Sequence, residues 1–266
     1  MSFLVLTLVG VLVGLTTVLF GFGGGFVTVP IVTVADAALG GDAVRVATAT
    51  SALVMLVNAA VATASARRGT LAPLRGRTGL FVLLGLGGAV GVAAARSAPD
   101  ALLRWGFVAY LAVTVLDLLL RPGFLRPAGS RDLEHRRTGV PTALGLPIGA
   151  VAAFLGVGGS VMTVPMMRRA GSTMTAAATL ANPLTLAITL PAAAVTLLVP
   201  ATGLHGADAA VGLVGAVHVR AATALLLGAM PVIVLLRRRP PRLPETVHAW
   251  GYLALLVAAG VAVAAG

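Results

Sequence analysis

The residues in this chain with the spacing to do chemistry are glycines. Gly21-Phe22-Gly23-Gly24-Gly25-Phe26-Val27-Thr28-Val29-Pro30 recurs as Gly156-Val157-Gly158-Gly159-Ser160-Val161-Met162-Thr163-Val164-Pro165. Each copy lies inside an apolar run too long for a soluble loop. Glycine at that depth weakens a helix by roughly 1 kcal/mol relative to Ala and frees main-chain amides, so such a break belongs where it lines an enclosed or wet cavity. The freed N–H groups, with the positive end of the helix that follows, form a donor set for an anion. The candidate substrate-binding residues are therefore Gly23, Gly24 and Gly25 in the first copy and Gly158, Gly159 and Ser160 in the second. Thr28 and Thr163 add hydroxyls from the next helical turn. Pro30 and Pro165 are expected to end the first turn of the short helix that follows, or to kink it. The alternative reading is that the glycines only let helices pack closely.

The elements that must position these residues are membrane helices. With 58% apolar and 10% charged residues and a mean hydropathy of +1.02, the chain lacks the polar surface of a soluble globule and holds several runs of spanning length. It reads as an all-α polytopic membrane protein with no soluble domain. The first run has no basic segment before it and no small-residue cleavage site after it, so it reads as mature structure. Cysteine is absent, which excludes disulfides and thiolate chemistry. His135, His205, His218 and His248 have no ligand spacing, so no metal or other cofactor is expected. All 19 basic residues are Arg, and the net charge of +11 fits Arg at membrane ends better than a nucleic-acid surface.

The runs are Phe3 to Phe20, Phe26 to about Leu39, Val44 to Ala66, Gly79 to Ala95 and Leu102 to Leu120, and after a polar linker Gly139 to Leu155, Val161 to Met167, Met174 to Val199, Ala221 to Leu236 and Val247 to Ala265. This gives an N-terminal repeat over 1–120, a linker over 121–138 and a C-terminal repeat over 139–266. Trp105-Gly106-Phe107-Val108-Ala109 also matches Trp250-Gly251-Tyr252-Leu253-Ala254, which strengthens duplication. Arg placement selects the topology. Eight plain crossings split the arginines almost evenly, whereas Gly-broken hairpins that return to the side they entered leave only Arg45, Arg96, Arg104 and Arg220 on one side. The expectation is two inverted-topology repeats, each a broken hairpin plus three transmembrane helices. Both termini then lie outside, and the linker is cytoplasmic.

Other polar residues inside the runs add candidates. Ala49-Thr50-Ser51 before Asn58 resembles Ala178-Thr179-Leu180 before Asn182, so Thr50, Ser51, Asn58, Thr179 and Asn182 join the substrate-binding set. Capping and interhelical bonding are the alternatives for them. Asp117 reads as the acid well inside a helix, a candidate for ion coupling, with an ion pair to Arg121 four residues on as the structural alternative. Pro183 and Pro191 predict a kinked helix. Arg45 and Arg220 could attract anions at the outer mouth, or simply be solvated helix ends. Arg237-Arg238-Arg239 reads as an anchor for anionic lipid headgroups.

The two glycine segments, each ending in Val-Pro, together with Ala47-Thr48-Ala49-Thr50-Ser51 opening the next helix, resemble the TauE/SafE family of sulfite exporters and related anion permeases. The resemblance implies a membrane carrier for small sulfur-containing anions or organic acids such as sulfite or sulfonates. Two departures stand out: Ser160 where Gly is commoner, and Leu180 where the first half has Ser51. The expected function is a secondary transporter, an exporter, working by alternating access, and not an enzyme. An anion channel is an alternative, and so is an intramembrane hydrolase with Ser160 as nucleophile. Expected partners are a small anionic substrate and membrane lipids. A coupling ion (proton or sodium) and a homodimer are compatible with the sequence, and nucleic acid is not a partner. The expected location is the bacterial inner (cell) membrane.

Overall fold

The computed structural model describes residues 1–36, 43–125, 139–198, 213–239, 241 and 243–265. Most of the linker, together with His135, His205, Arg126, Arg131, Arg136, Arg137 and Arg242, lies outside the described residues. So do residues 37–39 of the second run and Val199 of the eighth.

Helix α1 spans Phe3–Phe20, with Ser2 Oγ accepting from the Val5 amide at its start. Gly21 ends it in a left-handed conformation, which a side chain rarely adopts. Helix α2 follows over Gly25–Ala35, then α3 over Ala43–Ala64, α4 over Thr78–Ser97 and α5 over Asp100–Leu120. The second half carries α6 over Gly145–Leu155, α7 over Ser160–Arg169, α8 over Met174–Leu198, α9 over Val219–Arg238 and α10 over Glu245–Ala265. A two-residue hairpin, β1 (Leu213–Val214) and β2 (Val217–His218), precedes α9. Among the described residues, seven helices are long and apolar enough to cross a membrane: α1, α3, α4, α5, α8, α9 and α10. The chain is an all-α polytopic membrane protein.

Pro30 and Pro165 both sit inside their helices, just past the first turn, and α2 and α7 continue to Ala35 and Arg169. One expectation needs correction. The run from Gly139 is not helical from its start, because Pro141 directs the chain into a 3-10 turn over Thr142–Leu144 and α6 begins only at Gly145. The arms before the two glycine turns are consequently unequal, 18 residues in α1 and 11 in α6.

Packing between the halves is reciprocal. Helix α1 lies along α9, and α6 lies along α4. Small residues permit both approaches: a Cβ on Gly14 would stand 2.7 Å from the Ala229 carbonyl oxygen, and one on Gly149 would press into Leu84. Helices α3 and α8 pack against each other, and α5 packs against α10. The start of α8, at Thr175 and Thr179, shares a cavity with the chain just after α3, at Ser65 and Arg67. Its far end, at Thr196, shares another with Arg45 and Thr48 at the start of α3. The two helices therefore run in opposite directions.

Candidate functional site

The glycine turns meet in the interior. Gly21, Gly23 and Gly24 have φ of 75°, 63° and 95°, and Gly156 and Gly158 have 68° and 72°, so both turns reverse the chain through left-handed conformations. A Cβ added to Gly23 or to Gly158 would lie 3.1 Å from the same atom, the Thr185 methyl, and both positions also border Met55. Met55 and Thr185 stand near the middle of α3 and α8, so the turns converge there. A Cβ on Gly25 would press on Met55 Sδ and stand 2.8 Å from the Gly156 carbonyl oxygen. The back of the first turn is fixed by aromatic packing, with Phe22 against Phe26 at 4.9 Å and against Tyr252 at 4.8 Å.

Each turn is followed at once by a helix N-terminus without a side-chain cap, α2 after Gly24 and α7 after Gly159. Val27 and Thr28 donate their amides to the Gly24 carbonyl, and Met162 and Thr163 theirs to the Gly159 carbonyl, so the amides with no acceptor one helical turn back are those of Gly25 and Phe26 and of Ser160 and Val161. Around them lie buried polar atoms without hydrogen-bond partners: Ser160 Oγ, Thr163 Oγ1, Thr185 Oγ1, Asn58 Oδ1 and Asn182 Oδ1. Thr28, the counterpart of Thr163, instead donates to the Gly24 carbonyl at 2.9 Å. Pro165 lacks the N–H that would bond the Val161 carbonyl four residues back, and Tyr252 Oη donates there and to the Ser160 carbonyl, each at 3.3 Å.

The structure thus gathers Gly23, Gly24, Gly25, Gly158, Gly159, Ser160 and Thr163 at one place. Ser51 and Asn58 join them. Ser51 donates to the Gly156 carbonyl at 3.0 Å, and Asn58 Nδ2 to the Gly23 carbonyl at 3.2 Å. Asn182 Nδ2 donates to its own helix at Ala178, which leaves its oxygen free. Thr50 and Thr179 belong elsewhere. Thr50 accepts from the His218 amide at 2.9 Å beside the β-hairpin, and Thr179 accepts from Arg237 at 2.7 Å at the opposite end of the molecule. Asp117 is far from the turns, paired with Arg169 at 2.7 Å and Arg121 at 3.2 Å. Among the described residues no histidine bonds Ser160: His218 pairs with Asp36, and His248 meets the Leu19 carbonyl.

Sequence reading overlooked Met55 and Thr185, although Thr185 follows Asn182 by one helical turn and that spacing could have marked it. It also passed over Asp36. This acid caps α2 at 4% exposure and pairs with His218 Nδ1 at 2.8 Å, so Asp117 is not alone as an acid within the apolar runs. Arg168 is 1% exposed and pairs with Glu245 at 2.5 Å. Arginines fall at two ends: Arg45, which reaches the Ala98 carbonyl and Asp100, and Arg104, which reaches the Ala264 carbonyl, lie at one, and Arg67, Arg168, Arg169 and Arg237 at the other.

Neither a curated protein nor a solved structure matches the chain. One family model nonetheless covers nearly the whole chain, both glycine turns included. That model, described as sulfite exporter TauE/SafE, matches residues 6–263, and the chain belongs to this family of exporter-type transporters.

Proposed function

We propose that the protein is a secondary transporter that exports small sulfur-containing or organic anions, such as sulfite or sulfonates, by alternating access around the paired glycine turns. The observation that carries this reading is the convergence of Gly23 and Gly158 on Thr185, with uncapped helix N-termini and unpartnered hydroxyls around them. Backbone N–H groups, two positive helix ends and neutral hydroxyls suit an anion that must bind and leave again. Ser160, Thr163 and Thr185 supply hydroxyls, and Asn58 Nδ2 supplies an amide donor beside Gly24.

The reciprocal packing of α1 on α9 and α6 on α4, with α3 and α8 antiparallel, supports two inverted repeats over 1–120 and 139–266. The end holding Arg67, Arg168, Arg169 and Arg237 is then cytoplasmic by the positive-inside rule, and both termini lie outside. A cavity of about 290 Å³ opens at that end, against about 40 Å³ beside Arg45 and Thr48. This asymmetry supports a carrier resting open to the cytoplasm, and the packed turns between the two cavities form its gate.

Counterflow in proteoliposomes tests the reading. Vesicles preloaded with unlabelled sulfite or methanesulfonate should accumulate labelled anion transiently, with a rate that saturates. A flux linear in concentration and without counterflow would mark a channel, and no anion flux would refute the proposal.

A further inference from the structure

Arg237 does not behave as a lipid anchor. Its neighbours Arg238 and Arg239 are exposed at the end of α9, but its own guanidinium turns inward to the 290 Å³ cavity between the ends of α1, α3 and α9 and the starts of α8 and α10. There Nη1 donates to Thr179 Oγ1 at 2.7 Å, and Thr179 spends its own proton on the Thr175 carbonyl at 2.7 Å. The threonine is therefore a fixed acceptor that sets the plane of the guanidinium. The other edge is free: Nε and Nη2 are buried and have no hydrogen-bond partner. Among the described residues no carboxylate pairs with Arg237, whereas Arg45, Arg121, Arg168 and Arg169 each have one.

A half-desolvated guanidinium without countercharge is costly, and the cost is removed when an anion reaches its unpaired edge. Nε–H and Nη2–H point in parallel and match two oxygens of one planar or pyramidal group, as in a carboxylate, sulfite or sulfonate. Arg67, Thr70, Thr173 and Thr175 line the same cavity and supply further charge and hydroxyls. Leu19, two residues before the first glycine turn, closes its inner wall, and Thr179 adjoins Ala178, whose carbonyl lies against Gly21.

We infer that this cavity is an anteroom that binds a small oxyanion through the Nε/Nη2 edge of Arg237 before it reaches the glycine turns. The inference rests on the transport reading for its purpose, but binding at Arg237 is measurable without transport. A phosphate of an anionic lipid shares the chemistry of a free oxyanion, so the test separates the two sources.

The test uses the full-length protein in phosphatidylcholine nanodiscs, titrated calorimetrically with sulfite and with methanesulfonate. Wild type should bind saturably. Arg237→Gln should weaken binding by about tenfold or more, the scale of a lost charged hydrogen-bond pair. Arg237→Lys should recover part of it, and Arg238→Gln should match wild type. Thr179→Val, which only frees the guanidinium to swing, should weaken binding by a smaller factor and serves if Arg237→Gln does not fold. Binding unchanged in Arg237→Gln, or in Thr179→Val where that variant stands in for it, overturns the inference. So does wild type that binds neither anion, whether it is stabilised only in phosphatidylglycerol discs, the mark of a lipid headgroup, or in none, the mark of a hydrated cavity. Proteoliposome flux is read separately: anion binding that depends on Arg237 but is accompanied by no flux sinks the transport reading and leaves the site standing.

Discussion

Ser51 on α3 donates its hydroxyl to the Gly156 carbonyl at 3.0 Å, so a helix of the first half holds the glycine turn of the second. The corresponding contact on the other side is different. Gly21 rests against Ala178 and Ala181 of α8, and Leu180, at the place of Ser51, brings no donor. The second turn is thus tied by a hydrogen bond from the opposite half, whereas the first takes its hydrogen bond from Asn58 of its own half and meets the opposite half by packing. Ser51→Ala should lower stability by about 1 kcal/mol, the net value of a buried hydrogen bond, and slow anion flux by loosening the second turn. Thermal unfolding of the purified variant together with its counterflow rate checks both. A flux equal to wild type would make the bond irrelevant to transport.

The two turns should respond unequally to an added methyl group. Gly24 has φ of 95°, and a Cβ there would collide with Val13 and stand 2.9 Å from Asn58 Nδ2. Gly159, its counterpart, has φ of −75°, which any residue adopts, and its Cβ would meet chiefly the flexible tip of Ile188. Gly24→Ala should abolish transport and cost about 1–3 kcal/mol of backbone strain alone. Gly159→Ala should keep measurable transport. Equal activity of the two variants would contradict this account of the turns.

Much of this was legible in the chain because the signals are local. Clustered glycine inside apolar runs marks a helix break by conformation alone, and a repeated Thr-Val-Pro marks the second copy. The spanning helices fall within a few residues of the expected runs. What escaped was set by contacts distant in sequence. Nothing beside Asp36 announces His218, and nothing beside Arg168 announces Glu245. The triplet Arg237-Arg238-Arg239 reads as uniform charge until α9 is placed, when one member turns to Thr179. Thr50 and Thr179 occupy matching positions in the two halves, yet each is taken by a partner distant in sequence, His218 or Arg237, away from the turns.

Asp117 tests whether an acid near a helix end couples transport to an ion or only holds two helices together. Its carboxylate binds Arg169 at 2.7 Å and Arg121 at 3.2 Å, and its main-chain oxygen takes a further Arg169 bond at 3.0 Å. Such partly exposed pairs contribute about 0.2–1 kcal/mol each. Asp117→Asn should therefore lower Tm slightly while the pH profile of transport keeps its shape. A flattened profile with unchanged Tm would assign coupling to this residue.

Arg168 is the most demanding charge in the protein. At 1% exposure it donates through Nε to the Phe124 carbonyl at 3.1 Å and through Nη1 to the Ser172 carbonyl at 3.2 Å, while Nη1 also meets Glu245 at 2.5 Å. Glu245 in turn accepts from the Met174 amide at 3.1 Å. One ion pair therefore joins the end of α7, the chain after α5 and the starts of α8 and α10. Removing only the acid strands a buried guanidinium, which costs about 3 kcal/mol or more, whereas removing both charges with matched volume costs far less. Glu245→Ala should then unfold at a markedly lower temperature than wild type, and Arg168→Met combined with Glu245→Leu should recover most of the loss. The coupling energy from the double-mutant cycle is the decisive number, since additive single effects would show that the carbonyls alone suffice to hold Arg168.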